Sequence, residues 1–394
     1  MSEPETSTVR VVGSLRELPQ PAWDALANPD PAAFDPFLSH AFLSALEDSG
    51  AVGPEATGWL PRHLVLEDAR GALLAAMPLY VKLHSQGEYV FDHSWADAFH
   101  RAGGRYYPKL QCAVPFTPVP GRRLLVGSAT GRALREVQLL EGARRLAEAA
   151  GVSSLHITFL TEPEQRQAGK LGFLPRRGQQ FHWSNRGYGS FDDFLATLAS
   201  RKRKAIRKER IEALADGVRI AQLTGPDITE AHWDAFFAFY QDTGDRKWGR
   251  PYLNRAFFSA LGERLGAHCL LVLATRAGRP IAGALNLIGG SCLYGRYWGA
   301  IEHRPFLHFE VCYYQAIEYA IRHGLARVEA GAQGEHKLAR GYLPTETYSA
   351  HWIADEGLRE AIARYLDGER RHVANEMAVL AEYAPYRKSE QERS

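Results

Sequence analysis

One pattern restricts this chain more than any other: it spells the same series of elements twice. Gly172-Phe173-Leu174-Pro175 returns as Gly341-Tyr342-Leu343-Pro344, and His182-Trp183 follows the first glycine at the same distance as His351-Trp352 follows the second. Upstream, the runs 62–68 and 72–81 flank Arg70-Gly71 and predict a strand hairpin, answered by 267–273 and 281–288 around Ala277-Gly278-Arg279. A third strand is predicted at 88–95 and answered at 292–298. The helix predicted over 131–150, stopped by Gly151, is answered by 309–323, stopped by Gly324. A strand at 155–160 is answered at 327–330. This predicts two copies of one α/β fold, residues 7–187 and 216–385, joined by a basic helical link over 188–215.

The rest of the chain is predicted as a strand at 9–12, helices near 21–27 and 40–48 with Ser39 as N-cap of the second, and a long irregular region over 97–123. A length of 394 residues is enough for two cores, and 45% apolar with 23% charged residues excludes a disordered chain. A net charge of +2 names no partner. The N-terminus is acidic and lacks an apolar stretch, and no apolar run reaches membrane-spanning length, so a cytoplasmic protein without a membrane span is expected. Cys112, Cys269, Cys292 and Cys312 are scattered, which predicts buried free thiols. No His-x-x-x-His or His-Glu-x-x-His spacing exists, and no metal is expected.

The stretch from Glu329 to Pro344 packs glycines among Glu329, Glu335, His336, Lys337 and Arg340. Glycine at that density lets backbone approach a ligand, whereas a plain solvated loop with capping charges is the alternative. A second concentration of charge, 201–210, is basic around most of a helix. It reads either as a solvated face or as a polyanion contact through Lys204 and Arg207.

A strand hairpin, a strand, a helix, a strand, a short helix ending in Gly-Phe or Gly-Tyr and a last strand is the element order of the GNAT acyltransferase fold. Lys170-Leu171-Gly172-Phe173 resembles its helix-to-strand junction. Two such copies resemble the FemAB-like group, which includes the FemABX aminoacyltransferases that use aminoacyl-tRNA. Asp92-His93-Ser94-Trp95-Ala96-Asp97, Tyr106-Tyr107-Pro108-Lys109, Pro115-Phe116-Thr117-Pro118, 242–249, 294–299 and Leu307-His308-Phe309-Glu310 resemble one branch named as N-acetyltransferases or peptidoglycan-biosynthesis proteins. The resemblance implies tandem GNAT-like α/β (α+β) domains with mixed central sheets flanked by helices.

For amide formation from an ester or thioester, the residues predict catalysis by Glu329 as base, with His336 second and Tyr297 as a proton donor. Pairing of Glu329 with Lys337 or Arg340 is the structural alternative. Donor contacts are expected from Tyr294, Arg296, Trp298, Gly299, His308, Glu310, Gln333, Lys337 and Arg340. Acceptor contacts are expected from Asp92, Trp95, Asp97, Tyr107, Lys109, Arg246, Lys247 and Trp248. Arg296-Tyr297-Trp298-Gly299-Ala300-Ile301 begins the Gln/Arg-x-x-Gly-x-Gly/Ala cradle of CoA users and fails at its last position. The expected donor is therefore aminoacyl-tRNA or another acyl ester ahead of acetyl-CoA, with no tightly bound cofactor and a small-molecule or peptide amine as acceptor. An acetyl-CoA-dependent N-acetyltransferase and a non-catalytic binding module are the alternatives.

Overall fold

The computed structural model describes residues 7–53, 57–128, 131–247, 251–331 and 334–387. It forms two compact units, Met1–Gly178 with Glu346–Ala374, and Gln179–Thr345 with Asn375–Ser394.

In the first unit, β1 (Ser7–Val12), β3 (His63–Asp68) and β4 (Leu73–Met77) make a three-stranded antiparallel sheet. The main sheet runs β2 (Trp59–Pro61), β5 (Leu79–Lys82), β6 (Lys109–Cys112), β7 (Ser154–Leu160) and β14 (Leu343–Ile353). Only β6 and β7 pair in parallel, with Leu110 opposite Leu155. Helices α1 (Gln20–Ala27), α2 (His40–Asp48), α3 (His93–Arg101), α4 (Arg132–Ala149) and α5 (Glu162–Lys170) complete it. Ser39 caps α2 as expected, its hydroxyl accepting from Phe42 N. Leu139, Leu140, Ala143 and Ala147 of α4 close over Leu155, Ile157 and Leu160 of β7 in the core.

Two expectations need correction here. The run 72–81 is not one strand: Pro78, which has no N–H to give a ladder, separates β4 from β5, and the two halves enter different sheets. Residues 88–92 are not a strand either. Tyr89 takes a left-handed φ of 60°, the Glu88 and Asp92 carboxylates turn inward to lysines, and helix α3 starts at His93. The third strand of the first copy is β6, inside the region expected to be irregular.

In the second unit the order is β8 (Leu174–Ser184), β13 (Arg327–Glu329), β12 (Cys292–Ala300), β11 (Arg279–Ile288), β10 (Cys269–Arg276) and β9 (Val218–Thr224). Again one pair is parallel, β12 with β13. Helices α6 (Phe191–Thr197), α7 (Ser200–Ala213), α8 (Glu230–Lys247) and α9 (Arg255–Leu265) precede a composite helix. That helix runs α10 (Leu307–Phe309), a π turn at Glu310–Tyr314, and α11 (Gln315–Arg322). A 3-10 turn at Glu335–Arg340 leads into β14, and α12 (Glu356–Glu382) closes the chain.

Both copies thus hold antiparallel strands beside one parallel pair, but each surrenders its last strand. β8, which ends the first repeat, pairs with β13, and β14, which ends the second, pairs with β7. The boundary expected at 187/188 falls after the chain has already passed between units, and the basic helix α7 belongs to the second unit.

Candidate active site

The parallel pairing of β12 with β13 stops at Tyr294 opposite Glu329, while β12 runs on to Ala300 against β11. A bulge on β12 between Gly295 and Tyr297 accompanies the parting. Where two strands separate, backbone groups and side chains of both become available to a ligand. Around this parting the structure gathers a ring cluster. His308 lies 5.0 Å from Trp298 and 5.3 Å from Tyr313 by ring centroids, and His336 lies 5.5 Å from Phe309. The Tyr313 hydroxyl and His336 Nε2 are 2.9 Å apart. The π turn that presents Tyr313 is a rare geometry often found at functional sites.

Lys337 is buried, and its Nζ donates to the Gly331 carbonyl at 3.0 Å, just past the end of β13. Burial lowers its pKa to about 8, the neighbouring Cys312 sulfur working the other way. Of the four cysteines, all free, Cys312 alone is half-buried rather than buried. Arg340 stacks its guanidinium 3.4 Å from the Phe309 ring centroid, donates Nη1 to the His336 carbonyl at 2.7 Å and Nη2 to Glu209 Oε2 at 2.8 Å.

The remaining predicted residues of this half fall elsewhere. Glu329 is buried at the strand end, where Oε1 accepts from Arg327 Nε at 2.9 Å. His182 Nε2 stands 3.9 Å from its other oxygen, and burial drops that imidazole to about 3. Glu310 is fully buried, accepting from both Arg210 nitrogens at 2.9 and 3.0 Å and from Gln315 at 2.7 Å, which leaves it holding the π turn rather than meeting a donor. Tyr297 lies on the opposite face of β12 from Trp298, edge-on to Tyr240 of α8, with Arg296 5.1 Å above its ring. Tyr294 is buried. Gly299 has a packing reason to be glycine: a Cβ there would run into the Phe239 carbonyl of α8. The following loop, 301–306, contains no glycine, and its Glu302 pairs with Arg276 at 2.9 Å. Gln333 and Trp248 lie outside the described residues, as do the side chains of Arg246 and Lys247 at the end of α8.

On α7, Lys204 is exposed, and Arg207, also exposed, pairs with Asp192 at 2.8 Å. Sequence reading passed over Glu209 and Arg210. Their signal was a lone carboxylate inside a basic run, beside the buried spacing of Ile206 and Ala213.

In the first unit β6 and β7 also part, after Cys112 opposite Ile157, but the chain itself fills the gap. Residues 113–119 are buried, Gly121 N donates to the Phe159 carbonyl at 2.9 Å, and the buried Arg123 donates to Thr158 O and Val119 O. Glu164 receives the N–H groups of Arg123 and Leu124, both at 2.8 Å.

Beside it Asp92 and Lys109, expected to line a cleft, are enclosed as a salt bridge of 2.7 Å. Asp92 also accepts from the Tyr106 hydroxyl at 2.7 Å. Burial raises the Asp92 pKa, but Lys109 and His156 outweigh it and hold the carboxyl well below the usual range. Burial lowers Lys82 to about 7, with Glu88 opposing. His156 and His351 face each other, Nδ1 to Nδ1, at 2.7 Å, and burial keeps His156 near about 3. Trp95 is buried edge-on to His351, Tyr107 bonds Ser85 at 2.8 Å, and Asp97 is exposed on α3. Among the described residues no three His, Cys, Asp or Glu side chains gather as a metal-binding group, and no helix is long and apolar enough to cross a membrane.

Two copies of a mixed sheet, each with one parallel pair, make the tandem GNAT-like fold. The chain belongs to the FemAB-like family, described as peptidoglycan biosynthesis/recognition, which it matches over residues 14–388. Its fold is similar to the crystal structure of FemX, with 14% identity, a TM-score of 0.56, and coverage of 88% of this chain and 98% of that one. It is also similar to L-PGS from Bacillus licheniformis, with 9% identity, a TM-score of 0.50, and coverage of 85% and 98%. No curated protein sequence matches the chain.

Proposed function

We propose that this transferase forms an amide by passing an aminoacyl group from the ester of an aminoacyl-tRNA to a primary amine on a peptidoglycan or lipid precursor, at the parting of β12 and β13. The observation that carries this reading is the loop where a CoA pyrophosphate would sit: Gly299 is taken up by the Phe239 carbonyl and residues 301–306 offer no glycine. A pyrophosphate cradle needs successive free N–H groups on a backbone that bends freely. An ester donor needs no such cradle. Family membership supports the same choice.

In the reaction the amine nitrogen bonds to the ester carbonyl carbon, the C–O bond to the ribose breaks, and one proton moves from nitrogen to the leaving oxygen. The Lys337 ammonium stabilises the oxyanion of the tetrahedral intermediate, where low dielectric strengthens its effect. His336, exposed and hydrogen-bonded to Tyr313, takes the amine proton and returns it to the leaving oxygen. Glu329 ranks second as base because Arg327 already neutralises it. Trp298 and His308 offer flat faces to the donor's terminal base. The exposed basic face of α7, with Lys204 and Arg207, meets the RNA backbone.

Transfer from labelled aminoacyl-tRNA to hydroxylamine, a small surrogate amine, tests the reading. The full chain is expected to yield the aminoacyl hydroxamate above the uncatalysed rate. No acceleration with aminoacyl-tRNA, together with acetyl transfer from acetyl-CoA, would replace it with the CoA-dependent reaction.

A further inference from the structure

Helix α7 has two charged faces with different employment. Outward, Lys204, Arg207 and Lys208 are exposed. Inward, Glu209 is mostly covered, with 17% of its side chain exposed, and its Oε2 takes two donors, Arg340 Nη2 at 2.8 Å and the Tyr314 hydroxyl. Those donors belong to two different elements of the site. Tyr314 ends the π turn that presents Tyr313, and Arg340 ends the 3-10 turn that carries His336 and Lys337.

The 3-10 turn is flanked by Gly331, Gly334 and Gly341 at φ of 78°, 112° and 91° and is anchored by Leu338 in the core and by the Tyr386 hydroxyl, which donates to the Gly341 carbonyl at 2.7 Å. The covered charge pair from Arg340 to Glu209 ties it to α7. Because the same carboxylate sits on the helix whose other face is basic, a polyanion that shifts or steadies α7 acts directly on the turn.

We propose that Glu209 is a positioning residue: it sets the His336–Lys337 turn against the π turn and couples its order to occupancy of the basic face of α7. This rests on the proposed acyl transfer for its catalytic consequence, but not for its structural one. The test is hydrogen exchange of the peptide 336–342 in the full chain, with and without an uncharged RNA minihelix, beside steady-state transfer to hydroxylamine. In Glu209→Gln the peptide is expected to exchange about tenfold faster than wild type without RNA, while core peptides of β10 and β11 keep their protection. Arg340→Gln should match it, and Glu209→Asp should restore slow exchange. In wild type the minihelix should slow the peptide further, and in Glu209→Gln it should not.

In transfer, Glu209→Gln is expected to lower kcat about tenfold or more with the donor KM within about twofold, the signature of a displaced group rather than a lost contact. Exchange of 336–342 unchanged in both Glu209→Gln and Arg340→Gln would overturn the proposal, as would a minihelix that binds but protects the peptide equally in wild type and Glu209→Gln. A faster-exchanging Glu209→Gln in a protein that performs no aminoacyl transfer would instead keep the positioning role and discard the reaction.

Discussion

In the proposed mechanism Lys337 is the charge that faces the oxyanion. Burial lowers its pKa to about 8, so the ammonium needed opposite an oxyanion is present at neutral pH and lost above it. The rate should therefore fall on an alkaline limb near pH 8, read from kcat/KM against pH. Lys337→Arg, whose guanidinium stays charged, should move that limb upward, and Lys337→Met should lower kcat about 10²–10³-fold. The sign for stability is opposite. A lysine whose folded pKa lies below its unfolded value binds fewer protons folded than unfolded between about pH 8 and 10.5, so stability rises with pH across that window. Below it the folded state carries the cost of a buried charge. Lys337→Met should consequently raise Tm at pH 7 while removing activity, and a lower Tm would show that the lysine is structural. His336 and Lys337 stand out in the sequence because glycine-flanked polar residues seldom serve a core, although Lys337 proves buried. Glu310 reads in the sequence as a donor contact or a helix cap, and only the fold brings Arg210 to it across a hundred residues of chain.

Among elements, α7 and the third strand of the first copy carry opposite lessons. The link reads in the sequence as one helix to about residue 215, whereas the structure breaks it after Thr197 into α6 and α7, and the exposed face of α7 gives a measurable expectation. RNA minihelix affinity should fall steeply with salt, and Lys204→Ala and Arg207→Ala should each reduce the log–log slope by about one unit. Arg207 already pairs with Asp192, so a smaller change there than at Lys204 fits the structure, and no change at either site would remove α7 from the interface. The strand was misread because residues 88–95 are apolar enough for a ladder. Their carboxylates are instead buried against Lys82 and Lys109, and pairing of that kind has no local signature. β6, four residues long and bracketed by prolines, gave too short a run to register.

For the whole molecule, the repeat announced two copies of one fold, but not that β8 and β14 would be exchanged, since strand pairing between distant segments leaves no trace in either segment alone. The exchange makes the halves interdependent. Residues 1–187 expressed alone lack β14, the antiparallel neighbour of β7, and expose the edge of a buried strand. That fragment should be insoluble, and co-expression with 188–394 should recover soluble protein. A folded, monomeric 1–187 would contradict the pairing.

The identity of the donor separates the two chemistries. Titrating the full chain with a non-hydrolysable aminoacyl-RNA minihelix, its amino acid held by a 3′ amide, and separately with acetyl-CoA compares the two directly. Saturable minihelix binding in the micromolar range that weakens with salt is expected, with no measurable acetyl-CoA binding at the same concentrations. Micromolar acetyl-CoA binding with no affinity for the minihelix would contradict that expectation.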